Sequence, residues 1–197
     1  MKKNLVLSGG GIKGLVHVGA LYAFKQLGIL DKFENIIGSS AGALVGALYV
    51  IGYSPAELYD FIKLFDFSKV KNIDINNVSE YGLDKGTKLD YVLKRLIKSK
   101  CGDENITMKE VYEKFKKKLV LTTVCINDME ICYCSHENFP DLELWRGLRM
   151  SAAVPVYFCP IMYEGKYYMD GGAWDNYPMH YFKDELEELT SGMSYGK

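Results

Sequence analysis

Apolar positions recur with two periods along this chain, and the first fifty residues show both. Residues 3–7 form a short apolar run that stops at glycine, the pattern of a buried strand. Val16, Ala20, Ala23, Phe24 and Leu27 then recur at helical spacing, and Gly28 supplies a stop. A second apolar run, 34–37, enters Gly38-Ser39-Ser40-Ala41-Gly42 and passes at once into an apolar helix from residue 41 to about 51. Strand, loop, helix, strand, tight turn and helix, in that order, predict an α/β domain with a parallel sheet and helices on its faces.

The remainder continues the alternation. Ser54-Pro55-Ala56-Glu57 and Thr107-Met108-Lys109-Glu110 both read as helix starts, each with a capping hydroxyl and a glutamate three positions on. Residues 66–87 are polar and read as loop. Leu89, Val92, Leu93, Leu96 and Ile97 make an apolar stripe with Lys94, Arg95 and Lys98 off it. Runs 119–126 and 130–134 flank a turn at Asn127-Asp128, and 142–150 reads as helix. Runs 161–163 and 166–169 flank Glu164-Gly165, a hairpin signal. The last strand delivers Asp170-Gly171-Gly172, and 183–189 reads as an acidic helix. At 197 residues this is one domain, 1–197, large enough to bury a substantial core.

Composition narrows the classes. A net charge of −1 gives no overall field toward nucleic acid. The N-terminal apolar stretch ends at Ser8, short of the roughly 7–15 residues of an export signal. The longest apolar run, 41–53, is shorter than the about 20 residues of a membrane span. Five cysteines with no Cys-x-x-Cys read as reduced thiols, which favours a reducing, cytoplasmic setting. Three scattered histidines give no metal-ligand register.

Chemistry concentrates in three places. In Gly38-x-Ser40-x-Gly42 a serine sits where an apolar strand turns sharply into an apolar helix. That is the context of a nucleophile elbow, with the helix N-terminal amides aimed at a developing oxyanion. Ser39 lies off this register. Consecutive glycines in Gly9-Gly10-Gly11-Ile12-Lys13-Gly14 offer several backbone N–H groups to an anion. Gly9, Gly11 and Gly14 also fit a dinucleotide fingerprint, but the second strand ends in Gly38-Ser39-Ser40 rather than in the acidic residue such a site needs. No Walker-type Gly-Lys-Ser/Thr follows. Asp170, ahead of Gly171 and Gly172, is free to lean into a site, and the same pattern also fits a solvated turn. Ser40, Asp170 and His180 follow the chain order of an α/β-hydrolase triad, although that fold places several strands before its elbow.

Taken together and in order, the Gly9–Gly14 loop, the Ser40 elbow and Asp170-Gly171-Gly172 resemble the patatin-like phospholipase family. Ser151-Ala152-Ala153-Val154-Pro155 with Phe158 and Pro160, and Asn176 with Pro178, extend the resemblance over about residues 4–178. It implies a three-layer α/β/α sandwich with a mainly parallel sheet and a Ser40–Asp170 dyad. It also implies oxyanion donors among Gly10, Gly11 and Ile12, and hydrolysis of fatty acyl esters of phospholipids or lysophospholipids without metal or cofactor. Lys13 stands where many members have Arg, Ser8 where many have Asp, and the chain is short after Asp170. The alternatives are a soluble acyl esterase or thioesterase with the same site, and a non-catalytic lipid-binding relative. Residues 85–118 carry eleven Lys or Arg against five Asp or Glu, and their amphipathic helix is a candidate for peripheral contact with an anionic membrane; a solvated face over a core stripe is the plainer reading.

Overall fold

The computed structural model describes residues 4–64 and 72–183. One six-stranded sheet organises them. β1 (Asn4–Leu7), β2 (Asn35–Ser39) and β4 (Lys118–Cys125) run parallel, so both early crossovers carry helices, α1 (Leu15–Gln26) between the first pair. β5 (Glu130–Cys134), β8 (Lys166–Asp170) and β7 (Ile161–Tyr163) join antiparallel, which makes the sheet mixed beyond its parallel half. Their hairpins do not need crossover helices. The β7–β8 turn has Glu164 and Gly165 both at positive φ, as a two-residue hairpin of matching twist requires.

Strand alternation separates two cores. Leu5, Leu7, Ile36, Leu119 and Leu121 point into the larger one, which α2 (Ala41–Val50), α4 (Thr87–Cys101), α5 (Met108–Phe115) and α6 (Leu144–Ser151) cover. Ile37 and Val120 point the other way and meet Phe182 of a C-terminal 3-10 turn. α2 is apolar on all sides, and all but one of its residues are buried. Both capping boxes form: Ser54 with Glu57 opens α3 (Pro55–Leu64), and Thr107 with Glu110 opens α5. Among the described residues no helix is long and apolar enough to cross a membrane.

Two expectations change. The stretch expected as loop contains a 3-10 turn at Ile75–Glu80 and β3 (Gly82–Asp84), which pairs with β6 (Val156–Phe158) in a separate two-stranded sheet. Helix α1 forms, but Val18 and Leu21 are its buried residues, whereas Val16 and Leu27 are 73% and 70% exposed. The apolar stripe of α4 is spent on the core, with Leu93 and Ile97 buried in it. Several cations of that region have partners within the fold: Lys98 with Glu104, Lys100 with Glu57, Lys118 with Glu137, Lys117 on the Phe33 carbonyl. The plainer reading of this basic stretch therefore fits. The acidic segment 183–189 lies outside the described residues after Lys183.

Candidate active site

Register alone brings two of the expected residues together. Ser39 at the end of β2 pairs with Thr122, and Asp170 at the end of β8 pairs with the next residue of β4, Thr123. Both Thr122 and Thr123 pair with β5 on their other edge. β2 and β8 therefore share one edge of β4 and approach end to end from opposite directions, with their C-terminal ends meeting. Ser40 and Asp170 are the residues at that meeting point.

Ser40 sits on the turn with φ 50° and ψ −119°, a region L-residues rarely occupy, and its carbonyl already accepts the Leu44 N–H of α2. The turn is this tight because both flanking glycines are in contact. A Cβ on Gly38 would lie 2.5 Å from the Ala43 nitrogen, and one on Gly42 would lie 2.4 Å from the Leu7 carbonyl oxygen. The strained serine is held from outside as well. Its N–H donates to Ser151 Oγ at 3.0 Å, and Ser151 Oγ donates to the Thr122 carbonyl at 2.7 Å. One hydroxyl at the end of α6 thus ties the nucleophile's backbone to the strand where Ser40 and Asp170 meet.

The Asp170 carboxylate accepts the Gly172 N–H at 2.7 Å, and the Ser40 side chain stands beside it. Asp170 is 4% exposed, and this burial raises its pKa; the neighbouring Ser40 hydroxyl and the Gly172 N–H pull the other way without cancelling it. Its own N–H is tied to the Ala153 carbonyl. Gly171 opens a 3-10 turn that carries the chain away from the carboxylate.

The glycine loop lies alongside. Gly9 donates to the Asn176 carbonyl at 3.0 Å, and Lys13 donates to Gly10, so the amides of Gly10, Gly11 and Ile12 lie between two anchored positions. Gly11 has positive φ, Ile12 and Lys13 are exposed, and Gly14 packs against Ala41 at the start of α2. His17 bonds the Ser8 carbonyl and so braces the loop from α1.

The histidine alternative finds no support in the geometry. His180 bonds Tyr133 and lies 3.6 Å from Asp175, while His136 stacks on Tyr112. Sequence reasoning gave no role to Ser151, His17 or the Gly9–Asn176 bond. Only the resemblance singled out the segments carrying Ser151 and Asn176, since a lone serine at a helix end has no periodic signature.

A cavity of about 840 Å³ lies behind Asp170, walled by Ala153, Met169, Pro155, Val156, Phe158 and Val78. Its lining includes the residue before the aspartate and the residue bonded to the aspartate's amide, but not Ser40.

Comparison with known proteins identifies the family and the fold. The family described as patatin-like phospholipase matches residues 5–183. The chain is 33% identical over 183 residues to the probable lipid hydrolase 463L of Invertebrate iridescent virus 6, covering 90% of this chain and 62% of that protein. It is 29% identical over 200 residues to the lysophospholipase NTE1 of Meyerozyma guilliermondii, covering 98% of this chain and 12% of that one. The chain thus spans less than two thirds of either relative. The crystal structure of VipD from Legionella pneumophila shares the fold with a TM-score of 0.64 at 20% identity, over 90% of this chain and 47% of that one. The chain belongs to the patatin-like phospholipase family.

Proposed function

We propose that the protein is a serine acyl hydrolase that cleaves fatty acyl esters of phospholipids or lysophospholipids through an acyl-enzyme. The observation that carries this is the meeting of Ser40, strained at the N-terminus of α2, with a buried Asp170 on one edge of β4. Asp170 accepts the Ser40 proton as Oγ attacks the ester carbonyl, and the carbonyl π electrons move onto its oxygen. That oxyanion faces the start of α2 and the Gly10, Gly11 and Ile12 amides, where each donor is worth roughly 2.7–4 kcal/mol. Collapse expels the alcohol, which takes the proton from Asp170. Water then attacks the acyl-Ser40 ester with Asp170 again as base and releases the fatty acid.

Burial suits Asp170 to this task, because a carboxylate with a raised pKa is a stronger base than one in water. Lys13, beside these amides, is the nearest candidate cation for a phosphate headgroup. The cavity behind Asp170 is apolar and large enough for an acyl chain, which favours a lipid over a short-chain ester.

Fatty-acid release from mixed phospholipid vesicles by wild type, Ser40→Ala and Asp170→Asn tests the assignment. Release by wild type alone supports both roles. Full release by Ser40→Ala would sink the nucleophile assignment.

A further inference from the structure

One group of exposed hydrophobic side chains lies on α1, on the glycine loop and on the segment that follows Asp170. α1 buries Val18 and Leu21, yet its opposite arc is also apolar, with Leu15, Val16, Tyr22 and Leu27 all exposed. Ile12, 67% exposed, continues that arc onto the glycine loop. A second strip follows the aspartate: Trp174, Tyr177 and Met179 are each about half exposed. The Gly9–Asn176 hydrogen bond joins the two strips, since Tyr177 follows Asn176 and Ile12 lies three residues beyond Gly9.

Charge on this rim is net positive. Residues 8–28 contain Lys13 and Lys25 and no acid. Residues 172–182 contain only Asp175, which accepts the Tyr133 hydroxyl proton and keeps 15% of its side chain exposed. The rim therefore combines an apolar helix face, two aromatic side chains with polar tips, and outward cations. Apolar helix faces settle into the boundary between headgroups and acyl chains, Trp and Tyr favour that same boundary, and cations beside them meet anionic headgroups.

We propose that this rim is the surface by which the protein docks on an anionic phospholipid bilayer, with Leu15, Val16, Trp174 and Tyr177 entering the interface. The inference rests on the acyl-hydrolase reading, and it adds where the substrate comes from: the ester reaches Ser40 directly from the bilayer. It also moves the membrane-facing surface away from the basic 85–118 stretch, whose apolar stripe is already buried.

The test separates docking from chemistry. Full-length Ser40→Ala protein is sedimented with vesicles of phosphatidylcholine alone or mixed with phosphatidylglycerol. Binding rises with phosphatidylglycerol and falls with added salt, and Lys25→Gln weakens that dependence. Adding Val16→Glu and Tyr177→Glu lowers vesicle binding by about tenfold or more, because two inserted side chains become anions. With Ser40 intact, the same pair keeps hydrolysis of a monomeric short-chain ester within about twofold while vesicle hydrolysis falls with binding. The milder pair Val16→Ser and Tyr177→Ser gives the same order of effects should the glutamates disturb folding. Unchanged vesicle binding by both pairs would overturn the proposal. So would wild type that ignores vesicles and sizes as a dimer which Val16→Glu dissociates, since the face would then belong to a second copy. An absence of reaction with a fluorophosphonate and with both substrates instead overturns the hydrolase reading and leaves the sedimentation result, measured without Ser40, intact.

Discussion

Ser40 and Asp170 reach the same place on β4 from opposite directions, and different physics holds each one. On the β2 side the cost is conformational: a serine at φ 50°, ψ −119°, fixed by two glycine contacts and by Ser151. On the β8 side the cost is electrostatic: a carboxyl in ordinary extended backbone, taken out of water with the Gly172 N–H bonded to it and the Ser40 side chain beside it. A strained serine and a desolvated carboxyl are each costly, and other elements hold them: Ser151 of α6 the serine, the Ala153 carbonyl and the Gly172 N–H the aspartate. The site is therefore a place where the fold gives up stability on both arms.

Removing either reacting group tests the comparison at its largest. Ser40→Ala should lower kcat on the order of 10⁶-fold, and Asp170→Asn about 10⁴-fold or more, both read as fatty-acid release by folded protein. Ser151→Ala takes away the acceptor of a buried N–H, a loss of about 1–3 kcal/mol, or roughly 5- to 150-fold in kcat, with KM nearly unchanged. An equal rise in KM would mean that Ser151 shapes substrate binding instead.

Stability should move the other way. Ser40→Gly relieves backbone strain of about 1–3 kcal/mol against a glycine entropy cost of roughly 0.5–1, so its unfolding free energy should rise while activity disappears. Asp170→Asn should change how stability depends on pH. Because burial raises the folded pKa, the folded state binds the proton more tightly than the unfolded one. Stability therefore falls as pH rises from the usual carboxylate range to the folded value, and Asn removes that decline. The acid limb of kcat/KM should likewise lie above the usual carboxylate range. The smallest effect belongs to His180→Ala, within about twofold in kcat if Ser40 and Asp170 act without it; a loss near that of Asp170→Asn would reinstate the triad.

The two arms also differed in legibility. The elbow could be read from the residues because a serine between glycines, at a strand-to-helix junction, is a local pattern. Asp170-Gly171-Gly172 is equally local but fits a solvated turn, and what sets it against Ser40 is a register between strands far apart in sequence. Only the resemblance supplied that pairing. Ser151 was silent for the same reason, since its partners Ser40 and Thr122 lie 111 and 29 residues away. β3 and β6 span three residues each, too few for alternation to show, and β6 opens on Val156 at φ 70°, a conformation its sequence disfavours. α1 was found, but with the wrong side inward: both of its arcs are apolar, so period alone could not say which one the core would take.

The end-to-end approach of β2 and β8 also has a consequence in time. The elbow is complete in sequence by residue 50, whereas the aspartate comes 130 residues after Ser40 (40 to 170). At about 5–20 residues per second, a growing chain carries its serine for roughly 6–26 s before residue 170 is made. Until the β8 segment adds itself beside β4, that serine lacks the carboxyl that the proposed mechanism uses as its base. On the proposed mechanism, a ribosome-bound chain is thus inert by order of synthesis and becomes reactive only when β8 arrives.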